Sequence, residues 1–164
     1  MTRKLAIVVL GERDAGKSTT WNDLFSATVR TGQYVRGLTI KEKWKVDNVF
    51  LVSGSLQERE KHPTEVITDK IHEILLISVQ YIAGARDTLR FLIENKYEIH
   101  CHWINPGHDV DRAYFDYLGL SQEYLHSSVT ITMLSSKNLD DRIFRIQEVI
   151  LGWALLNGKL KEIK

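Results

Sequence analysis

An eight-residue segment near the start of the sequence, residues 11–18, constrains the fold more than any other part of the chain. It reads Gly-Glu-Arg-Asp-Ala-Gly-Lys-Ser and matches the pattern G-x-x-x-x-G-K-[ST]. An apolar run, residues 5–10, leads into it, and residues able to form a helix follow from Lys17. A phosphate-binding loop needs this context, because a buried strand holds the loop while the amides at a helix start face the anion. The segment therefore predicts a loop that binds nucleotide phosphates.

The residues of this loop have separate predicted roles. We expect Lys17 to reach the outer phosphates as a point charge and the Ser18 hydroxyl to bind Mg²⁺. The backbone amides of residues 14–19 are expected to line the phosphate cradle, with Thr19 next to the inner phosphates. The predicted nucleotide-binding residues of this segment are Gly11, Asp14, Ala15, Gly16, Lys17, Ser18 and Thr19.

Composition argues against several classes of protein. With 164 residues the chain is expected to form one domain over residues 1–164. The net charge of +1 provides no long-range field that would favour nucleic acid. A single cysteine, Cys101, excludes an internal disulfide and leaves zinc clusters without their usual ligands. No apolar run is long enough to span a bilayer, and the first residues lead into a strand rather than a signal peptide. We expect a cytoplasmic protein without a nucleic-acid partner.

The order of predicted elements indicates the fold class. Strand-like segments at residues 38–44 and 46–52, joined through Lys45, are too close for a parallel crossover and predict an antiparallel hairpin. The continuous apolar run over residues 74–79 is typical of a central buried strand. Further strands are predicted at 98–104 and 129–134, with helices between them. The sequence thus predicts a three-layer α/β domain: a mostly parallel sheet of about six strands, one antiparallel edge hairpin, and helices on both faces.

The chain resembles a Ras-like or Era-like small GTPase domain, a branch of the P-loop NTPases. Residues 11–18, the continuation Thr-Thr-Trp-Asn-Asp-Leu-Phe over residues 19–25, and the order of elements along essentially the whole chain carry the resemblance. It implies Mg²⁺ and a nucleoside triphosphate or diphosphate, GTP or ATP, as ligands. It also implies a protein partner, of unknown identity, that contacts switch-like loops at residues 28–38 and 53–73.

Two family motifs are altered in this chain. Where the family has D-x-x-G, residues 53–56 read Ser-Gly-Ser-Leu, so both the aspartate that reaches Mg²⁺ through water and the glycine that senses the γ-phosphate are absent. Gln57 follows, where Ras-like members keep the glutamine that orients the attacking water. It is a candidate catalytic residue, and the alternative is a solvated loop glutamine. No other acid has a clear metal-binding place, because both nearby strands end in serine, Ser53 and Ser78.

The base-recognition motifs are altered as well. Where the family has N-K-x-D, residues 105–108 read Asn-Pro-Gly-His, and Asp109 follows one place late, where its simpler role is to cap a helix. Asn105 remains a candidate nucleotide contact. Residues 135–137, Ser-Ser-Lys, are similar to the S-A-K loop that closes over the base, which makes Ser136 and Lys137 candidates too. The choice between ATP and GTP stays open.

The loop also contains Arg13, at a position that small GTPases commonly fill with glycine next to the γ-phosphate. Arg13 is expected to act as an internal arginine finger, to crowd the attacking water, or to point to solvent. The candidate catalytic residues are therefore Lys17, Arg13 and Gln57. Either Thr31 or Thr39 is the candidate threonine of the first switch-like loop.

Three functions are compatible with these patterns. The first is a GTPase-like nucleotide switch with weak or absent hydrolysis. The second is a small-molecule or nucleotide kinase, which needs a basic lid; its candidate cations are Arg86, Arg90, Arg112 and Arg142. The third is a pseudo-enzyme that holds phosphate or nothing functional. His100 and His102 face one side of a predicted strand, where packed, hydrogen-bonded histidines are favoured over a metal site because no third ligand is evident.

Overall fold

A mixed, mostly parallel sheet organises the chain in the computed structural model, which describes residues 3–32, 34–67, 72–106, 116–123, 125, 129–134 and 139–164. Its strands and helices are β1 (Lys4–Gly11), α1 (Lys17–Phe25), β2 (Arg36–Ile40), β3 (Trp44–Val52), α2 (Pro63–Val66), β4 (Ile74–Gln80), α3 (Ala85–Glu94), β5 (Tyr97–Ile104), β6 (Val129–Leu134), α4 (Leu139–Leu156) and β7 (Leu160–Glu162). A single 3₁₀ turn, Leu120–Gln122, precedes β6.

The strand order is β2-β3-β4-β1-β5-β6, and β7 pairs with β3. The pairs β3–β4, β4–β1, β1–β5 and β5–β6 are parallel, whereas β2 and β7 run antiparallel to β3. The predicted α/β class with a mostly parallel sheet is therefore confirmed.

The central strands are buried because their sequences are apolar on both faces, as parallel strands covered by other elements require. All residues at positions 5–10 of β1 are fully buried. One set of β1 side chains packs with Trp21 and Leu24 of α1 and with Ile146 and Ile150 of α4. The alternate set packs with α3 side chains, including Leu89. The sheet thus has one core cluster on each face.

The hairpin differs from its predicted bounds. Residues 41–43 form the connection, and Trp44 already belongs to β3, so Lys45 is a strand residue and not the connection. Lys41 and Glu42 have φ angles of +52° and +56°, the left-handed backbone that turns a hairpin. The alternating pattern had suggested that the first strand continued through these residues. The pairing of β7 with β3 was not predicted.

The strand order also locates the carboxyl end of β1. The chain reaches β4 on one side of β1 and then β5 on the other, so β1 lies where the order of connections reverses. Ligands of open α/β sheets bind in the crevice at such a point, outside the carboxyl ends of the strands. Residues 11–18 leave β1 at this end.

Some predictions fall outside the described residues, among them most of the helix that Asp109 was expected to cap. No helix in the described part of the chain is both long enough and apolar enough to cross a membrane.

Candidate functional site

Gly11 ends β1 at a position where the chain passes close to its neighbours. A Cβ atom on Gly11 would lie 3.0 Å from Cβ of Ala15 and 3.1 Å from Cγ1 of Ile104. Both neighbours are buried, so neither has space to move away. The first glycine of the predicted loop is therefore required by the return of the chain over the ends of β1 and β5.

The loop backbone bends by placing left-handed residues on both sides of Ala15. Asp14 has a φ of +58° and Gly16 a φ of +103°, and the Ala15 amide donates to the Glu12 carbonyl at 3.3 Å. Left-handed residues within a tight turn direct successive N–H groups toward one side and create a concavity that binds anions. The backbone of the predicted phosphate cradle is therefore left-handed on both sides of Ala15, and its binding of phosphate stays a prediction.

The start of α1 adds positive potential to this concavity. Gly16 is the N-cap residue, no side chain caps the helix, and its first turn contains no acidic residue. The first amides of a helix have no intrahelical partner and carry the positive end of the helix dipole. Ser18 and Thr19 lie in this first turn with exposed side chains, so the hydroxyl of Ser18, the predicted Mg²⁺ ligand, is accessible.

Lys17 is folded back over the loop. Its side chain is 7% exposed, and Nζ donates to the carbonyl oxygens of Glu12 at 2.7 Å and Gly11 at 3.2 Å. The Glu58 carboxylate lies 3.9 Å from the same nitrogen. The ammonium group is therefore held at the rim of the loop, where it can donate a hydrogen bond to an anionic oxygen.

Two side chains from other elements support the loop from behind. Asn105, directly after β5, donates its amide Nδ2 to the Ala15 carbonyl at 2.9 Å. Arg142 of α4 donates to Oγ1 of Thr20 at 3.0 Å, and that hydroxyl donates to the Gly16 carbonyl at 2.9 Å. The Asn105 amide group thus contacts the loop backbone, and its predicted contact with nucleotide stays a prediction.

Sequence reasoning missed Arg142 as part of the loop. It is 4% exposed, and its guanidinium would lie 3.3 Å from a Cβ on Gly16. Burial lowers the pKa of Arg142 from its usual value, although an arginine stays charged at neutral pH. A buried cation therefore lies directly behind the predicted phosphate cradle. The sequence contains one indication of this contact, which is that Arg142 lies in the first turn of the last helix.

Ser53 and Ser78, the two serines where the sequence offers no acid, both form hydrogen bonds with other parts of the chain. Ser78 of β4 accepts a hydrogen bond from the Trp21 indole at 2.7 Å in the core. The Ser53 amide donates to Oγ1 of Thr31 at 3.0 Å. Of the two threonines proposed for the first switch-like loop, Thr31 thus reaches the carboxyl end of β3, whereas Thr39 lies exposed on β2.

Gln57 is held by its neighbours. Its Nε2 donates to the Thr88 hydroxyl at 2.8 Å, and its Oε1 accepts from the Gln80 amide at 3.2 Å. Both ends of the side-chain amide are therefore bonded to α3 and β4 in this structure. Its role in orienting water stays a prediction. In that role, the side-chain amide would have to give up these two hydrogen bonds.

Of the remaining candidate site residues, some have exposed side chains and the others lie outside the residues that the structure describes. Arg13 and Asp14 have exposed side chains at the surface of the loop. Ser136, Lys137 and Asp109 lie outside the described residues.

The described residues contain no group of three or more His, Cys, Asp or Glu side chains that could hold a metal ion. A Mg²⁺ ion would therefore depend on Ser18, phosphate oxygens and water. His102 is buried as predicted, but no hydrogen-bond partner lies near either ring nitrogen within the described structure, so the predicted hydrogen bonding of this residue is wrong. His100 contacts Glu98 at 3.2 Å.

Comparison with protein-family models, with curated proteins and with solved structures finds nothing that matches this chain.

Proposed function

We propose that the chain is a P-loop nucleotide-binding protein that resembles a Ras-like or Era-like small GTPase domain, in which residues 11–18 hold the phosphates of a nucleoside triphosphate or diphosphate with Mg²⁺. In this proposal the sheet and its helices form the three-layer arrangement of P-loop NTPases. Hydrolysis is weak or absent, and the protein acts as a nucleotide-dependent switch.

The observation that carries the proposal is the convergence of four features on one loop. The loop leaves the strand at which the connection order reverses, its backbone is left-handed at Asp14 and Gly16, the start of α1 has no side-chain cap, and the Lys17 ammonium lies over the loop rim. Each feature favours a bound anion for a different physical reason. A pattern match by chance would not bring all four together.

Weak or absent hydrolysis follows from the state of the groups that turnover needs. β4, the neighbour of β1, ends at Gln80, and β3 is followed by Ser53, so neither strand has an acid at its carboxyl end. The amide group of Gln57 is bonded to Thr88 and Gln80. Phosphoryl transfer depends on oriented water and on stabilised negative charge. Binding needs only the loop and Lys17, so it survives these losses better than catalysis does.

The switch part of the proposal rests on a contact between the two switch-like loops. Thr31, in residues 28–38, accepts a hydrogen bond from the Ser53 amide, at the start of residues 53–73. The Gly32 amide also donates to the Leu51 carbonyl at 3.3 Å. Because these bonds lie at the same edge of the sheet as the phosphate loop, a change in phosphate number can move both segments together. A protein partner would read that movement.

The kinase alternative lacks support from the described cations. Arg86 donates to the Leu118 carbonyl, Arg90 pairs with Glu123 at 2.9 Å, and Arg142 supports the loop from behind. Arg112 lies outside the described residues. The three described arginines are thus bound to neighbouring structure and do not form a lid over the phosphates.

A thermal-shift experiment tests the proposed binding. Nucleotide with Mg²⁺ at about 100 times its Kd should raise the Tm of the wild type by roughly 5–10 °C, because a ligand of the folded state stabilises it by mass action. Lys17→Ala should lose most of this rise. Lys43→Ala is the matched control, since Lys43 lies in an exposed ion pair with Glu162, 3.7 Å away, and its removal should leave the rise unchanged.

Equal nucleotide-induced shifts in Lys17→Ala and in the wild type would remove residues 11–18 as the binding site. Where only the wild type shows the shift, the base of any nucleotide released when the purified protein is denatured decides between guanine and adenine, and its phosphate number identifies the bound state.

A further inference from the structure

The Lys17–Glu58 contact is not explained by the motifs of the phosphate loop. The D-x-x-G positions after β3 contain no acid, yet a carboxylate from the same segment lies 3.9 Å from Lys17 Nζ. That nitrogen is the group expected to bind the outer phosphates. The protein's own anion therefore lies beside the cation that a phosphate would need.

The backbone position of Glu58 is set by an anchored turn, residues 53–60. Leu56 has no exposed surface and lies in the core cluster beneath α3. Gln57 bonds to Thr88 and Gln80, and the Glu58 amide donates to the buried Ser55 hydroxyl at 3.2 Å. With three consecutive anchors, the backbone at Glu58 cannot move away without breaking these hydrogen bonds or exposing Leu56, so rotation of the exposed side chain is the easiest way for the carboxylate to leave Lys17.

The geometry also indicates which phosphate would meet this carboxylate. The amides at the start of α1 and around Gly16 are suited to the inner phosphates. Lys17 Nζ is bonded to the carbonyls of Gly11 and Glu12, at the opposite end of the loop. Glu58 contacts it there with a side chain that is 41% exposed, on the side open to solvent. The outermost phosphate is the one that would approach this side.

We propose that Glu58 occupies the place of the third phosphate and thereby determines how many phosphates the site accepts. In the conformation observed, the loop complements a nucleoside diphosphate, and Glu58 supplies the negative charge that a γ-phosphate would otherwise bring to Lys17. A triphosphate must displace the carboxylate from Lys17. This inference rests on the proposed nucleotide binding and adds to it the residue that distinguishes diphosphate from triphosphate.

The physical basis is competition between like charges for one ammonium group. A carboxylate and a γ-phosphate near the same lysine repel each other, and partial exposure screens part of that repulsion. Removing the carboxylate charge should therefore favour the triphosphate by about tenfold relative to the diphosphate. A diphosphate does not reach this side of Lys17, so its affinity should change little.

Calorimetric titrations of the full chain test the inference, with GDP, GTP, ADP and ATP as probes in the presence of Mg²⁺. The variant is Glu58→Gln, and the measured quantity is the ratio of the triphosphate Kd to the diphosphate Kd for the base that binds. The matched control is Glu60→Gln, which removes the same charge from an exposed residue of the same turn. A loss of folding would change both Kd values together, whereas the inference concerns their ratio.

We expect the ratio to fall about tenfold in Glu58→Gln and to stay at the wild-type value in Glu60→Gln. Glu58→Asp keeps the charge but withdraws it by one methylene group, so it should lower the ratio by a smaller factor. An unchanged ratio in Glu58→Gln, or an equal change in Glu60→Gln, overturns the inference while nucleotide binding stands. Absence of binding by the wild type overturns the inference together with the proposed function.

Discussion

At the scale of single residues, Gly16 is constrained by both backbone conformation and space. Its φ is +103°, and an added Cβ would lie 3.3 Å from a guanidinium nitrogen of Arg142. Residues with a Cβ are strained in this region by about 1–2 kcal/mol. Gly16→Ala should therefore lower the free energy of unfolding by about 1–2 kcal/mol, and should weaken nucleotide binding because the loop amides change direction. Chemical denaturation and calorimetry measure the two effects.

Gly152 provides a control for this substitution. It lies within α4, and a Cβ there would meet nothing within 4 Å. Gly152→Ala should raise the free energy of unfolding by up to about 1 kcal/mol, since alanine favours the helix. If both alanine variants change stability in the same direction, the strain at Gly16 is not the cause.

His102 predicts a pH dependence of stability. It is 2% exposed, and burial, followed by the charges of His100 and Arg145, lowers the pKa of His102 to about 4. An unfolded chain takes up this proton near pH 6.5, but the folded protein takes it up near pH 4. This contribution is therefore constant above pH 6.5 and is lost as the pH falls toward 4, by about 3 kcal/mol in total.

Denaturant titrations between pH 4 and 8 measure this loss. The His102→Leu variant should lack this part of the pH dependence, because leucine has no proton to take up. If the variant and the wild type lose the same stability between pH 6.5 and 4, another group is responsible.

At the scale of elements, the turn over residues 53–60 joins β3 to α3 and β4 through Gln57. Gln57→Ala leaves the Thr88 hydroxyl and the Gln80 amide without this partner. The free energy of unfolding should fall by about 1–3 kcal/mol, and amide exchange of the turn should become faster. If Gln57 also orients the attacking water, the variant should lose nucleotide turnover in addition to stability. Denaturation and phosphate release separate the two outcomes.

Local patterns were sufficient for elements whose neighbours agree with them. The apolar run at residues 74–79 became β4, Ile74–Gln80, and the predicted strand at residues 129–134 was found with those bounds. In contrast, the hairpin turn at residues 41–43 was missed because Lys41 and Glu42 are not typical left-handed residues. β7, three residues long, was missed because it is stable only when paired with β3.

The contiguous part of the candidate site was predictable from the sequence, but the contacts made by distant residues were not. Residues 11–18 are contiguous, so their pattern alone indicated strand, loop and helix. Glu58 and Arg142 reach the loop from 41 and 125 positions beyond Lys17, through the anchoring of Leu56 and the packing of α4. Their approach depends on tertiary contacts that no local pattern records.

At the scale of the whole molecule, three parts of the structure lie around the loop over residues 11–18. β4 and β5 flank β1, residues 28–38 and 53–60 meet through Thr31 and Ser53, and α4 supports the loop through Arg142. In the function proposed above, a change in bound phosphates would affect segments that are far apart in the chain. That proposed coupling favours a switch that signals its ligand state over rapid turnover.

The central claim is that residues 11–18 hold nucleotide phosphates. Its most direct test is a calorimetric titration of the purified chain with GTP, GDP, ATP and ADP in the presence of Mg²⁺, repeated with Lys17→Ala. We predict one-to-one binding of at least one of these nucleotides, weakened at least about tenfold in Lys17→Ala because a charge-assisted contact is lost. Absence of binding for all four nucleotides, or equal affinity in the two proteins, would contradict the claim.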